Sequence, residues 1–344
     1  MSILLRLALA WLALAWSGSA AASDSEVLLE FREDAVLAEL RLPLRDLAAA
    51  LGRPLPASPL PVTGRLHAEL ARYLGAHIDA VAYDGRRWWV ELADMRVAVD
   101  AEPRVLVAHA VLMPPAGAGA RRFVLGYDAI TRERPGHAAR LAVRNDWDGG
   151  VLGDRPATIA LLDAPGARVA VDRARGGAWR GWLAACRLGL RHAADAGRYL
   201  LLLLVLALPA AMRSPTLLAR IAAAFALGQT LALTVAAPGW FQVPAGVLDT
   251  LAAGALVLAA VHAVFPLFAR RETWYATGCG LLHGLAAAGI VGALDLDGWR
   301  LAAAILAFAA GCALAQAALL GAALGIIVGA SLVLRSGRSA RPAG

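Results

Sequence analysis

Between residues 25 and 181 apolar and polar positions alternate in short runs, and beyond that point they sort into long apolar stretches joined by brief polar connections. The first half reads as strands. Glu26–Arg32, the turn Glu33–Asp34 and Ala35–Leu42 form a hairpin pattern. Trp88–Leu92, Arg96–Asp100, Val105–Val111, Arg122–Tyr127, Arg140–Val143, Thr158–Leu162 and Arg168–Asp172 continue the series, separated by Gly, Pro and Asp. Short strands at this spacing predict an antiparallel β-sandwich. One helix interrupts them at Arg65–Leu74, where Leu66, Leu70 and Leu74 repeat at i,i+4 and Gly75 supplies a stop. About 155 residues suffice for a core of this kind.

The second half reads as membrane helices. The apolar run Tyr199–Met212 is shorter than the ~20 residues a spanning helix needs, so its helix must begin upstream. Leu217–Ala237, Ala245–Phe268 and Trp274–Leu294 each have spanning length, and Leu301–Leu334 follows without a charge. That last stretch is too long for one perpendicular helix and barely long enough for two. The pattern thus predicts a transmembrane bundle over residues 183–334 with five crossings, or six if the chain turns near Gly321.

Composition sharpens this picture. The 344 residues are 59% hydrophobic, with a mean hydropathy of +0.60, which points to insertion in a lipid bilayer. Net charge is +7 and every basic residue is Arg, but the arginines are scattered without aromatic clustering, so no nucleic-acid binding is expected. Residues 1–22 have the form of a secretory signal, with Arg6, the apolar Leu7–Trp16, and small residues at Ala20 and Ala22. An uncleaved anchor is the alternative, and either places residues 23–182 outside the cytoplasm. Arg213, Arg220, Arg270 and Arg271 flank alternate connections, and Arg335, Arg338 and Arg341 lie in the tail 335–344. The positive-inside rule then predicts an inner-membrane protein with its tail in the cytoplasm. Three cysteines all lie in the second half, which excludes a disulfide framework in the first.

Candidate chemistry concentrates on the first membrane helix. On one continuous helix Arg187, Arg191, His192, Asp195, Arg198 and Tyr199 share an arc of roughly 140°. A polar stripe at membrane depth marks a site facing the bundle interior, and Asp195, one turn from Arg191 and Arg198, is expected to neutralise part of it. Gln229, Asp249, His262, Cys279, His283, Cys312 and Gln316 complete the polar set of the bundle. Cys279 and His283, at i,i+4, share a helix face that suits a soft metal ion. His262, near a helix end, is expected to be solvated. Trp179 and Trp182 are read as an interfacial belt just before the first helix. In the strand half, His67, His77, His109 and His137 are dispersed, as surface or hydrogen-bonded histidines are. NDWDGG at 145–150 lacks the closing carboxylate of a calcium loop and reads as a turn.

Several stretches together resemble the HupE/UreJ family of hydrogenase and urease accessory membrane proteins. In the first half they are VLLEFREDAVLAELRLPLRDL, YLGAHIDAVAYDGRRW, RRFVLGYDAI and VRNDWDGG; in the second, WRGWLAACRLGLRH, FALGQTLALTVA, VPAGVLDTLAAGALVL, GLLHGLA and FAAGCALAQ. The resemblance implies a role in uptake or delivery of a transition metal, nickel or cobalt, without catalysis. It also implies a metal set of His192, Asp249, His283 and Gln316, lined by Arg191, Asp195, Arg198, Tyr199, Gln229 and Cys279. The family motif H-x-x-x-G-x-D-H is met at His192 alone, with Ala196, Arg198 and Tyr199 at its later positions. A-H-S becomes Gly228-Gln229-Thr230, the third-helix glutamate becomes Asp249, and I-H-G survives as Leu282-His283-Gly284. Of F-N-L-G-V-E-L-G-Q only Phe308, Gly311 and Gln316 remain. A guanidinium cannot ligate a cation and repels one. A second expectation of a different class therefore stands beside transport: a membrane-anchored scaffold that recruits a protein partner through residues 25–181.

Overall fold

The computed structural model describes residues 24–98, 103–153, 155–241, 243–268 and 270–339, with side chains described through 329. The signal segment and the last five residues of the basic tail lie outside that range. The chain divides into two compact units, Met1–Gly176 and Gly177–Gly344.

Unit one is a strand domain. Its strands are β1 (Ser25–Phe31), β2 (Val36–Pro43), β3 (Ile78–Ala82), β4 (Trp89–Ala98), β5 (Val105–Met113), β6 (Arg122–Tyr127), β7 (Ala139–Asn145), β8 (Ala157–Leu162) and β9 (Arg168–Asp172). Two helices, α1 (Leu44–Ala50) and α2 (Gly64–His77), are inserted among them. A six-stranded sheet runs β4-β5-β2-β1-β7-β8 and a three-stranded sheet runs β3-β6-β9. The predicted hairpin is present, with Glu26 opposite Arg41 and Phe31 opposite Val36. One pair, β1 with β7, is parallel. Residues from both sheets meet in a single core, where Val27, Leu29 and Leu40 from one face Phe123, Leu125 and Val171 from the other. Phe31 lies 6.4 Å and Trp88 4.5 Å, centroid to centroid, from Phe123.

Three local readings are corrected. The two strands expected at Trp88–Leu92 and Arg96–Asp100 are one strand, β4, broken in register between Leu92 and Met95; the bulge keeps Met95 and Val97 on the core side. Asp100 lies outside the described residues. Gly75 does not end the helix, which runs on to His77 because the i,i+4 ladder tolerates one glycine. Strand β3 and helix α1 were not anticipated: β3 follows α2 without an intervening turn, and α1, at seven residues, is too short to show a helical period.

Unit two is helical: α3 (Ala178–Asp195), α4 (Gly197–Arg213), α5 (Pro215–Ala236), α6 (Ala245–Val264), α7 (Glu272–Gly292) and α8 (Gly298–Ser339). Four of these, α5 to α8, are long and apolar enough to cross a membrane, and α3 with α4 makes a fifth if the bent pair is one span. Helix α8 is continuous through Gly321, at 42 residues about 63 Å long, which removes the turn needed for a sixth crossing. Ser214 and Pro215 open α5 with the usual extended-residue and N1-proline start. Close backbone approach is built from glycines. A Cβ on Gly280 or Gly284 of α7 would collide with the carbonyls of Phe225 or Gln229 on α5, and one on Gly189 of α3 with the Phe308 carbonyl on α8. Small residues permit such packing where burial in hydrocarbon supplies little drive.

Candidate metal centre in the helical domain

The first membrane helix is not one helix. Ala196 leaves the helical region at φ −82° and ψ 50°, and α3 and α4 meet there at 75°. The expected single stripe is therefore split. Arg187 and Asp195 are exposed and Arg191 half-buried. Asp195 pairs with neither Arg191 nor Arg198; Arg198 Nη1 instead meets Asp249 Oδ1 on α6 at 2.9 Å. Trp179 and Trp182 lie within α3, both exposed.

The bend has a chemical consequence. His192 and Tyr199, on opposite sides of the break, both stack on His283 of α7. Ring centroids are 5.4 Å apart for His192 and His283 and 4.7 Å for Tyr199 and His283, each pair tilted by 20°. Phe225 of α5 closes one side, 5.8 Å from His283, and Phe308 of α8 another, 5.6 Å from His192. One turn beyond Phe225, Gln229 accepts a 2.9 Å hydrogen bond at Oε1 from Gln316 Nε2 of α8. His283 is fully buried, and Gln229 and Gln316 nearly so. The glycines flanking His283, Gly280 and Gly284, bring α7 against the backbone of Phe225 and Gln229.

This cluster is under-satisfied. His192 Nε2, both ring nitrogens of His283, Tyr199 Oη and Gln229 Nε2 are buried without a hydrogen-bond partner in the protein. Each such group costs about 1–3 kcal/mol, and buried polar atoms left this way call for a bound group or water. Neutral imidazole nitrogens are lone-pair donors suited to borderline transition metals. The donor set is thin, however: among the described residues no group of three or more His, Cys, Asp or Glu side chains could hold an ion. The residues thus do not fit a resident four-coordinate metal.

Of the expected metal set, His192 and His283 come together, and Gln316 reaches the cluster through Gln229. Asp249 stands apart, 59% exposed at its side chain and held by Arg198. Cys279 is buried one turn before His283, and among the described residues no third ligand lies beside the pair. His262 is buried rather than solvated; its Nδ1 accepts the Phe268 N–H at 3.0 Å. Sequence reading missed Phe225 and Phe308 as walls, and also Glu272, buried at the head of α7 and bound to Arg213 at 2.8 Å. The four-residue spacing of Gly280 and Gly284 could have signalled the α5–α7 contact.

The HupE/UreJ protein family model matches residues 170–340, which takes in the broken helix, the histidine cluster and all of the spans. The chain belongs to the HupE/UreJ family. Its strand domain lies outside the matched range except for the last residues of β9 and the segment to Gly176. No curated protein and no solved structure matches the chain. Within a HupE/UreJ membrane protein the histidine cluster sits in the matched helical half, on α3 and α7.

Proposed function

We propose that this HupE/UreJ protein carries or hands on a transition-metal ion, nickel or cobalt, by way of the cluster around His192 and His283, and that it acts without catalysing a reaction. One observation carries the reading: two imidazoles from different helices meet inside an apolar bundle with ring nitrogens that no protein group satisfies. A divalent ion is the substrate that uses those lone pairs. Two protein nitrogens, with Tyr199 and Gln229 beside them, bind it loosely enough for release, as a carrier requires and a structural site does not. The charge of Arg198, which alone would repel the ion, is countered by Asp249. The signal-like N-terminus and the arginines at alternate connections support an inner-membrane location, strand domain outside and C-terminus in the cytoplasm.

The test is calorimetric titration of the purified chain with Ni²⁺ and Co²⁺, beside uptake of radioactive nickel by cells. His283→Ala should abolish saturable binding and reduce uptake to the level of cells lacking the protein, and His192→Ala should weaken both. Absence of binding to either ion, with uptake unchanged in His283→Ala, would overturn the reading and favour the scaffold role of residues 25–181.

A further inference from the structure

The strand domain holds a cleft of about 360 Å³ that belongs to no part of the metal site. Its rim is formed where α2 runs into β3, where β6 ends, and at the turn between β8 and β9. The charged side chains around it are His77, Asp79, Arg87, Asp128, Arg132 and Arg168.

Hydrogen-bond accounting shows what the cleft lacks. Asp79 Oδ2 accepts from Arg168 Nη2 at 2.7 Å. Asp128 Oδ2 accepts from Arg132 Nε at 2.9 Å and Nη2 at 2.7 Å, and from the Gly166 N–H at 2.9 Å. His77 is engaged by the Tyr73 carbonyl and Glu133, at 2.8 Å and 3.1 Å. Arg87 is exposed, and among the described residues no carboxylate pairs with it. Each guanidinium has five N–H donors and no acceptor. Both lining carboxylates are thus taken by their own arginines, while all of Arg87 and the outer edges of Arg132 and Arg168 are left over. The surplus is in donors and in positive charge, three guanidinium groups against two carboxylates.

The wall carrying Asp128 and Arg132 is rigid. Ile130, buried between them, has φ +70°, a conformation that costs a β-branched residue about 1–3 kcal/mol and persists only when its surroundings enforce it. Here Tyr73 enforces it. Its hydroxyl accepts the Ile130 N–H at 2.9 Å and donates to Glu133 Oε2 at 2.9 Å. Arg132 is therefore presented from a fixed loop rather than a free surface strand.

We propose that this cleft binds a small molecule bearing an oxyanion, a carboxylate or a phosphate, with Arg87 as its principal charge partner and Arg132 and Arg168 as flanking donors. Planar guanidinium forks match the paired oxygens of such groups, and the volume lies at the small end of ligand pockets. The proposal stands apart from the metal reading, because none of its residues belongs to the helical domain.

The purified full chain, with ionic strength held constant by chloride, is titrated calorimetrically with citrate and separately with inorganic phosphate. Saturable binding of at least one is expected, and which one binds distinguishes a carboxylate ligand from a phosphate ligand. Arg87→Gln should weaken it about tenfold or more, with Arg87→Lys intermediate. Arg132→Gln, which changes a different wall, should weaken it as well. His283→Ala should leave oxyanion affinity unchanged, and Arg87→Gln should leave Ni²⁺ binding unchanged. Failure of both anions to saturate, or equal affinity in the wild-type chain and both glutamine variants, overturns the proposal.

Discussion

Arg198 and Asp249 show how an opposite-charge pair is carried between two helices of the bundle. Arg198 places a positive charge beside Tyr199, with its Cζ 5.9 Å from the ring centroid. An isolated arginine at membrane depth is costly. Asp249 on α6 supplies the counter-charge. Exposed pairs in water are worth only ~0–1 kcal/mol, but removing one partner near lipid strands the other. In nanodiscs, Arg198→Ala and Asp249→Ala should each lower the melting temperature, and the double variant should be at least as stable as either single one. Strictly additive losses would show that the two charges are not coupled. Legibility was uneven for such residues. His192 and His283 were readable as candidates because an imidazole in an apolar run is conspicuous, and the fold brings their rings together. The pairing of Asp249 with Arg198 was not readable, because a helical position tells which residue is present, not which neighbour claims it.

Helix α3–α4 carries the comparable lesson for elements. Apolar length required the helix to start before Tyr199, and it does, yet 100° periodicity across 187–199 assumed a straight rod. The chain bends by 75° at Ala196. His192 and Tyr199, seven residues apart, would share a face even on a straight helix, about 10 Å apart along its axis; in the bent pair both rings stack on one imidazole. Packing between α5 and α7, the most extensive helix pair of the bundle, depends on Gly228, Gly280 and Gly284. Gly280→Val forces its new side chain into the Phe225 carbonyl, and overpacking of that kind costs typically ~1–3 kcal/mol. Thermal unfolding in detergent should show the loss, and Ni²⁺ affinity should fall with it, since Phe225 and Gln229 move with α5. By contrast, Gly278→Val, where nothing lies within 4 Å of the added Cβ, should melt close to the wild-type chain. Strand positions were far more legible, as β6 and β9 match their predicted bounds. Period-2 alternation survives in the sequence even when pairing partners are distant.

For the chain as a whole, the strand domain should respond to acid. Burial raises the Glu39 carboxyl, but hydrogen bonds and charge from Arg41 and Arg144 outweigh it and hold it below the ordinary range. Burial pushes His137 down, against the nearby Asp46. Both groups therefore take up a proton less readily when folded than when unfolded. Each contributes stability above its unfolded value, ~6.5 for histidine and ~4.3 for glutamate, and that contribution is lost as pH falls through the folded value. Melting of the full chain followed by the strand signal in circular dichroism should decline from about pH 6.5 downward, and more steeply near pH 4. His137→Gln should flatten the upper part; a melting temperature independent of pH between 4 and 7 in the wild-type chain would contradict this account.

Local pattern alone settles the division into a strand half and a membrane half, most strand positions, the spanning lengths of α5 to α7 and the presence of imidazoles among apolar residues. These follow from periods and lengths that neighbouring residues impose on one another. The parallel pairing of β1 with β7, the break at Ala196, the stacking of His192 and Tyr199 on His283, and the capture of Asp249 by Arg198 were decided only in three dimensions. Each joins residues through space, or turns on a single backbone dihedral, and neither leaves a period in the chain. The candidate site is therefore made by tertiary contact: its rings come from α3, α4 and α7, and it is their packing on His283 that joins them.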